Sequence, residues 1–150
     1  MREFSLDMTV SRKLRKLLFA TLLILVVITV VYAVTHQSRE WIVPEVAKQR
    51  PNPLSVSDSN LRAARDLYFE DCSNCHGNTG KGDGPEAHMH DPAPADLSDP
   101  VRMAGISDGE LFFKISDGHR PMPAFKRRLT EDQRWQLVLF IRGFSSRPKP

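Results

Sequence analysis

The feature that most constrains this chain is a stretch of five residues, Cys72-Ser73-Asn74-Cys75-His76, which holds the only two cysteines among 150 residues. Two cysteines three positions apart, followed directly by a histidine, form the attachment sequence of c-type haem. Each thiol adds to one vinyl group of the porphyrin, and the next residue is then held beneath the iron as an axial ligand. The sequence therefore predicts one covalent haem c, attached at Cys72 and Cys75 and ligated by His76.

Two other interpretations of this motif fit the chain less well. A dithiol redox centre of the thioredoxin type needs a surrounding βαβ pattern, and no alternating strand pattern flanks the two cysteines. A structural zinc site needs four ligands, and His76, His88 and His90 are poorly spaced to complete one. Both stay as alternatives to haem attachment, together with a chance co-occurrence of the three residues.

The sixth ligand of the iron is predicted from the setting of the methionines. Methionine sulfur is the common partner of histidine in electron-transfer haem. Met122 lies between Pro121 and Pro123, which fix the backbone on both sides, so a thioether is presented there at little entropic cost. Met89 and Met103 lack such a setting and suit core packing. Histidine ligation is the alternative, and its candidates are His88, His90 and His119.

Helical periodicity and capping patterns predict an all-α domain. Apolar residues at helical spacing predict a helix over residues 60–71. Two capping-box patterns, Ser107 with Glu110 and Thr130 with Gln133, each predict the start of a further helix. No stretch of the sequence has a convincing strand pattern, so the domain is expected to pack helices around the cofactor.

An apolar run over residues 17–34 dominates the N-terminal part of the chain. As a helix it extends about 27 Å, close to the roughly 30 Å hydrocarbon core of a bilayer. Basic residues precede it, which places the N-terminus in the cytoplasm and the rest of the chain outside. The alternative is a signal peptide cleaved after Ala33, although the run is longer than the usual 7–15 residue h-region.

These patterns divide the chain into five parts. We expect a basic cytoplasmic N-terminus (1–16), a transmembrane signal-anchor helix (17–35), an extended tether (36–58), a haem domain (59–146) and a short tail (147–150). The tether contains three prolines and little periodicity, which favours extended structure. Its residues 41–44 are more apolar than a free linker needs, and they are candidates to lie against the haem domain or a neighbouring subunit.

The excess positive charge of the chain lies before the apolar run. The first sixteen residues hold five basic and two acidic residues, a net of +3, while residues 36–150 hold sixteen of each. The basic character therefore reflects membrane topology and predicts no nucleic-acid partner. Basic residues also flank the loop that carries Met122, which we call the methionine loop. They either steer an acidic redox partner or are incidental to a solvated surface. These residues are Lys114, Arg120, Lys126, Arg127 and Arg128.

Residues 59–145 resemble the class I monohaem cytochromes c, especially their membrane-anchored bacterial members. Besides the haem-attachment motif, the resemblance rests on Leu67-Tyr68 before it, on Gly77 after it and on the run 122–125. The segments 107–111 and 135–138 are also similar to this family. One departure is Ala64, at a position where the family often has glycine because the first and last helices cross there.

The resemblance implies an all-α cytochrome c fold, with three to four helices around one haem. It also implies His76 as the proximal ligand and Met122 as the distal one. A carbonyl of the loop Pro92-Ala93-Pro94, which we assign to Pro94, would accept the hydrogen bond of the His76 ring.

The predicted function is single-electron transfer by a membrane-tethered cytochrome c. The iron would cycle between Fe(III) and Fe(II) on the periplasmic face of a bacterial inner membrane, between protein partners of the respiratory type. Lipid would be contacted by the N-terminal helix, and neither catalytic residues nor a small-molecule substrate are expected. The alternatives are a fixed haem subunit of a larger membrane redox complex and a haem sensor or enzyme with an open sixth site.

Overall fold

A computed structural model describes residues 3–35 and 41–146, and these fall into two compact units that divide between Glu40 and Trp41. The first unit is one long helix, α1 (Glu3–Thr35). Its part Arg12–Val34 is long and apolar enough to cross a membrane, a test of length and composition that a signal sequence also passes. This helix contains the predicted span 17–35.

The described part of the second unit is entirely helical, as predicted. Apart from an isolated bridge between His119 and Met122, residues 41–146 contain no β-structure. Its helices are α2 (Glu45–Lys48), α3 (Asp58–Asp71), α4 (Ser73–His76), a 3₁₀ helix (Ala87–Met89), α5 (Pro100–Ala104), α6 (Asp108–Asp117) and α7 (Glu131–Ser145).

The helix starts follow the capping residues in the sequence. Thr130 and Gln133 form the full reciprocal capping box at the start of α7. At α6 the box is only half made, since the Ser107 hydroxyl accepts from the backbone N–H of Glu110, whereas the Glu110 carboxylate pairs with Lys114 at 2.6 Å. The helix predicted over 60–71 begins slightly earlier, at Asp58, after an N-cap by Ser57.

One hydrophobic core lies between α3, α6 and α7. Trp135 of α7 is fully buried and stacks on Phe112 of α6, with ring centroids 4.0 Å apart. Tyr68 of α3 is also fully buried and contacts the rings of Phe140 and Phe144. No pair of helices in the described chain packs more extensively than α3 and α7, the first and last long helices of this unit.

Residues 41–57, which we call the entry segment, correct the prediction of an extended tether over 36–58. Val43 is buried, and the Ser107 hydroxyl donates to the Lys48 carbonyl at 2.6 Å. The Asn52 side-chain amide donates to the Trp135 carbonyl at 3.1 Å. The segment thus packs against α6 and α7 through the four-residue helix α2 and through irregular backbone, neither of which leaves a periodic pattern in the sequence. Residues 36–40 and the predicted tail 147–150 lie outside the described residues.

Candidate haem site

A single cleft of the second unit gathers the five residues that the sequence analysis assigned to haem. Its lining includes Cys72, Cys75, His76, Pro94 and Met122, and it holds about 880 Å³ of empty space, part of it open to solvent. Most of the lining surface is apolar. The fold therefore brings together, in one recess, residues that are up to fifty positions apart in the chain.

Helix α4 and its N-cap residue, Cys72, present the two thiols and the imidazole to this cleft. It begins directly after Cys72 and ends at Gly77, whose φ of 77° only glycine adopts readily. The Cys72 carbonyl accepts from the backbone N–H of His76 at 2.9 Å. The buried Tyr68 hydroxyl donates to the Gly77 carbonyl at 2.8 Å, which ties the exit of α4 to α3.

The loop after α4 folds back over the helix and satisfies its carbonyl groups. This matters because the last carbonyls of a helix have no partner within it. Three backbone N–H groups of the loop donate to the last three residues of α4: Gly82 to His76 (2.8 Å), Gly84 to Cys75 (3.2 Å) and Glu86 to Asn74 (2.8 Å). A Cβ on Gly84 would collide with the Asn74 carbonyl, so this close approach requires glycine.

The His76 ring is fixed by one backbone carbonyl. Its Nδ1 lies 3.2 Å from the Ala95 carbonyl oxygen. Because a carbonyl can only accept, Nδ1 carries the proton and Nε2 keeps its lone pair for a metal. Burial lowers the pKa of His76, while the hydrogen bond to Ala95 acts in the opposite direction. The imidazole is therefore held in the neutral form that ligates iron.

The acceptor of this hydrogen bond corrects the assignment to Pro94. The carbonyl of Pro94 lies instead against Gly82, where an added Cβ would collide with it. With that carbonyl turned toward Gly82, the carbonyl of the next residue, Ala95, meets the His76 ring. Pro94 remains part of the cleft lining.

The pKa of both cysteine thiols of the motif is raised in the chain without haem. Burial, together with a smaller contribution from the nearby Cys75, raises the pKa of the Cys72 thiol to about 12. Burial also raises the pKa of Cys75, with a second contribution from Glu86. The His90 Nε2 lies 3.4 Å from the Cys75 Sγ, a contact that the sequence spacing did not indicate.

Met122 reaches the cleft from a tight turn. The backbone N–H of His119 donates to the Met122 carbonyl at 3.0 Å, and the N–H of Met122 donates to the His119 carbonyl at 2.8 Å. Before the turn, α6 ends at Gly118 with a φ of 60°, and a Cβ there would collide with the Pro123 backbone. After the turn, the N–H of Phe125 donates to the Ile115 carbonyl at 3.1 Å.

The other candidate ligands have different surroundings. Met103 is 1% exposed and belongs to the core, whereas Met89 is 61% exposed; neither lines the cleft. His88 is exposed and also lies outside the lining. His90 and His119 do line it, but His90 contacts Cys75 and the His119 ring stacks on Trp41. The residues present fit a covalently attached haem, with two thiols, one oriented imidazole and one thioether around an apolar recess.

The basic residues around the methionine loop are largely paired within the chain. Lys126 pairs with Asp117, and Lys114 pairs with Glu110. Arg128 pairs with Asp71, which itself lines the cleft. The unpaired positive charge at the cleft belongs to two exposed lining residues without an ion-pair partner in the described chain, Arg102 and Arg120.

This fold and this site define a class I c-type cytochrome, and comparisons with known proteins agree. The chain is similar to KustC0563, a c-type cytochrome, with 27% sequence identity over 55% of this chain and 98% of that chain, at a TM-score of 0.50. It is also similar to a chain of the Kuenenia stuttgartiensis reducing HAO-like protein complex Kustc0457/Kustc0458. There the identity is 25% over 70% of this chain, at a TM-score of 0.52, and the match spans 52% of that chain's length.

Residues 59–141, more than half of the chain, match the family described as cytochrome c oxidase, cbb3-type, subunit III. The chain belongs to this family. Membership implies a covalently bound haem c and a function in electron transfer, so the protein is an electron carrier. No curated protein sequence matches the chain.

We predict that Tyr68→Phe destabilises the protein while leaving haem attachment intact. The Gly77 carbonyl would lose the Tyr68 hydroxyl and keep only the N–H of Gly80 at 3.2 Å, and the net loss of one hydrogen bond costs about 0.5–1.5 kcal/mol. Urea unfolding of the haem-containing protein measures the loss of unfolding free energy, and the pyridine haemochrome spectrum checks the two thioether bonds. An unfolding free energy equal to that of the wild type would contradict this account of the hydroxyl.

Proposed function

We propose that the chain is a single-haem electron carrier, anchored in a bacterial cytoplasmic membrane by α1, with a His76/Met122-ligated haem outside that membrane. The observation that carries this proposal is the presence of His76 and Met122 in the lining of the same cleft, beside Cys72 and Cys75. One haem is proposed because the chain has two cysteines, which suffice for one attachment.

Met122 is favoured over the other sulfur and imidazole candidates by its surroundings. It is the one methionine of residues 41–146 that lines the cleft, and two backbone hydrogen bonds hold its turn. His119 shares that turn, but its ring lies against the Trp41 ring. A thioether presented by a fixed turn adds little ordering cost to ligation, which favours a six-coordinate iron.

The residues of the chain have defined parts in electron transfer. Haem, when bound, supplies the one-electron couple. His76 offers its Nε2 lone pair in an orientation set by Ala95, and Met122 offers its sulfur from the other loop. The mostly apolar lining would leave little water beside the haem, so little solvent would have to reorient when the charge of the iron changes. With His76 and Met122 both holding the iron, no ligand position would be left for a small-molecule substrate.

We predict that Met122→Ala removes the weak far-red sulfur-to-iron charge-transfer band of the oxidised protein. Loss of the thioether should also lower the reduction potential by on the order of 0.1 V, a fraction of the roughly 0.8 V range that axial ligands set. The visible spectrum and a redox titration measure both effects.

Met89→Ala is the matched control for this experiment, because Met89 is exposed and lies outside the cleft. It should leave the band and the potential unchanged. A wild-type protein without the band would contradict methionine ligation, and the iron would then carry a histidine or an open sixth site.

The membrane anchor is supported by the length, composition and flanking charge of α1. The candidate span is Arg12–Val34, whose apolar run covers 17–34, and the first sixteen residues of the chain carry a net charge of +3. This charge favours a cytoplasmic N-terminus and an outer haem domain. The outer location also suits the family, whose haem is attached outside the cytoplasmic membrane.

We predict that the mature protein retains its N-terminus and stays with the membrane after alkaline carbonate extraction. A helix of this length is inserted essentially irreversibly, whereas a protein cleaved after Ala33 would be released. N-terminal sequencing of the purified protein and fractionation by haem staining distinguish the two. A mature chain that begins at Val34 would refute the anchor.

A fixed subunit of a larger redox complex is the second candidate. It is favoured by the name of the matched family and by the similarity to a chain of a protein complex. The haem chemistry is the same in both roles. They differ in the form of the protein in mild detergent, since a mobile carrier is extracted alone and a fixed subunit is extracted with its neighbours.

The partner of the carrier is proposed to present acidic residues to the mouth of the cleft. Arg102 and Arg120 are exposed there and have no ion-pair partner among residues 3–35 and 41–146, while Lys126 is already paired with Asp117. Unpaired charge at the rim attracts an acidic surface, and the attraction is screened by salt.

We predict that Arg120→Gln slows electron exchange with an acidic redox protein about twofold to threefold at low ionic strength and has little effect at high salt. Stopped-flow reduction over a series of salt concentrations measures this. Arg120→Lys, which keeps the charge, is the matched control. If the rates of Arg120→Gln and the wild type depended on salt in the same way, the proposed acidic partner would be refuted.

A further inference from the structure

Trp41, which precedes the family match at 59–141, lines the haem cleft. It is half-buried, and its ring stacks on the His119 ring with centroids 5.4 Å apart and an interplanar angle of 26°. The Lys114 ammonium lies over the same indole ring, 5.4 Å from its centroid. Trp41 is thus packed between a side chain of α6 and a side chain of the methionine turn.

The residue on which Trp41 stacks is the one that holds Met122. Both backbone hydrogen bonds of the turn join His119 to Met122, at 2.8 and 3.0 Å. The pair is an isolated bridge, so no strand continues from it within the described residues. The position of the Met122 sulfur therefore depends on the position of the His119 backbone. The position of the His119 ring depends in turn on the Trp41 ring that stacks on it.

The entry segment is anchored firmly enough to fix Trp41 in turn. Close behind it, Val43 is buried in the unit. A Cβ on Gly109 of α6 would collide with the Ala47 carbonyl, so α2 lies directly on α6. Arg50 pairs with Glu131 at 2.7 Å. Its guanidinium also lies over the rings of Phe112 and Trp135, at 4.9 and 5.4 Å from their centroids.

We propose that Trp41 is a positioning residue for the sixth ligand, which keeps the His119–Met122 turn in the arrangement that presents the thioether to the iron. This inference rests on the proposed His76/Met122 ligation. Without the indole, the turn would lose an aromatic stack and the cation–π contact that holds the stack, and the Met122 sulfur would be displaced more easily by an external ligand.

The test is an imidazole titration of the oxidised full-length haem protein in detergent, followed through the far-red sulfur-to-iron band. We expect imidazole to displace the thioether of Trp41→Ala at about five- to tenfold lower concentration than in the wild type. Trp41→Phe keeps an aromatic face and should stay within about twofold of the wild type. Ile42→Ala, at an 82% exposed neighbouring position, should match the wild type.

Thermal unfolding of each variant separates positioning from general stability. Equal imidazole affinity in Trp41→Ala and the wild type, with only a lower unfolding temperature in the variant, would overturn the proposal. So would a Trp41→Phe protein that behaves like Trp41→Ala. If Trp41→Ala does not mature, His119→Ala removes the other ring of the stack and should show the same gain in imidazole affinity; an unchanged affinity there would overturn the proposal as well.

The wild-type spectrum separates this inference from the proposed function. A wild type without the far-red band refutes Met122 ligation, and the role of Trp41 is refuted with it. A wild type that has the band, beside a Trp41→Ala protein with unchanged imidazole affinity, refutes the role of Trp41 alone.

Discussion

Cys72 and the four-residue helix that follows it have to bring two thiols and one imidazole to a single cleft, and the neighbouring structure depends on this requirement. Helix α4 is too short to satisfy its own carbonyl groups, so the following loop donates to them through the N–H groups of Gly82, Gly84 and Glu86. The same loop leads to Ala95, which orients the imidazole. Tyr68 joins the exit of α4 to the main core. The backbone hydrogen bonds that fold this region therefore also fix the positions of the side chains that would hold the haem.

Much of this arrangement was predictable because it depends on residues close together in the sequence. The attachment motif, the two prolines beside Met122 and the capping box at Thr130 each lie within a few positions. The all-α fold followed from helical spacing and was confirmed. The acceptor for His76 was wrong by one residue, because the direction of a carbonyl depends on its three-dimensional neighbours. Here the deciding neighbour is Gly82, against which the Pro94 carbonyl lies.

The pairing of Arg128 and the contacts of the entry segment were harder to predict for a related reason, since their partners are far away along the chain. Arg128 meets Asp71 across 57 positions, and Arg50 meets Glu131 across 81. A count of basic residues near the methionine loop therefore overstated the charge available to a partner. A segment with prolines and no periodicity likewise resembled a tether, although its contacts lie on helices that come much later in the sequence.

The packing of the entry segment changes where the folded domain begins. The family match starts at residue 59, yet a protein shortened to that residue would lose the Arg50 guanidinium that covers Phe112 and Trp135. The Trp135 carbonyl would also lose its donor, Asn52. A soluble form prepared without α1 should therefore start no later than Trp41, so the natural boundary of the domain precedes its family boundary by eighteen residues.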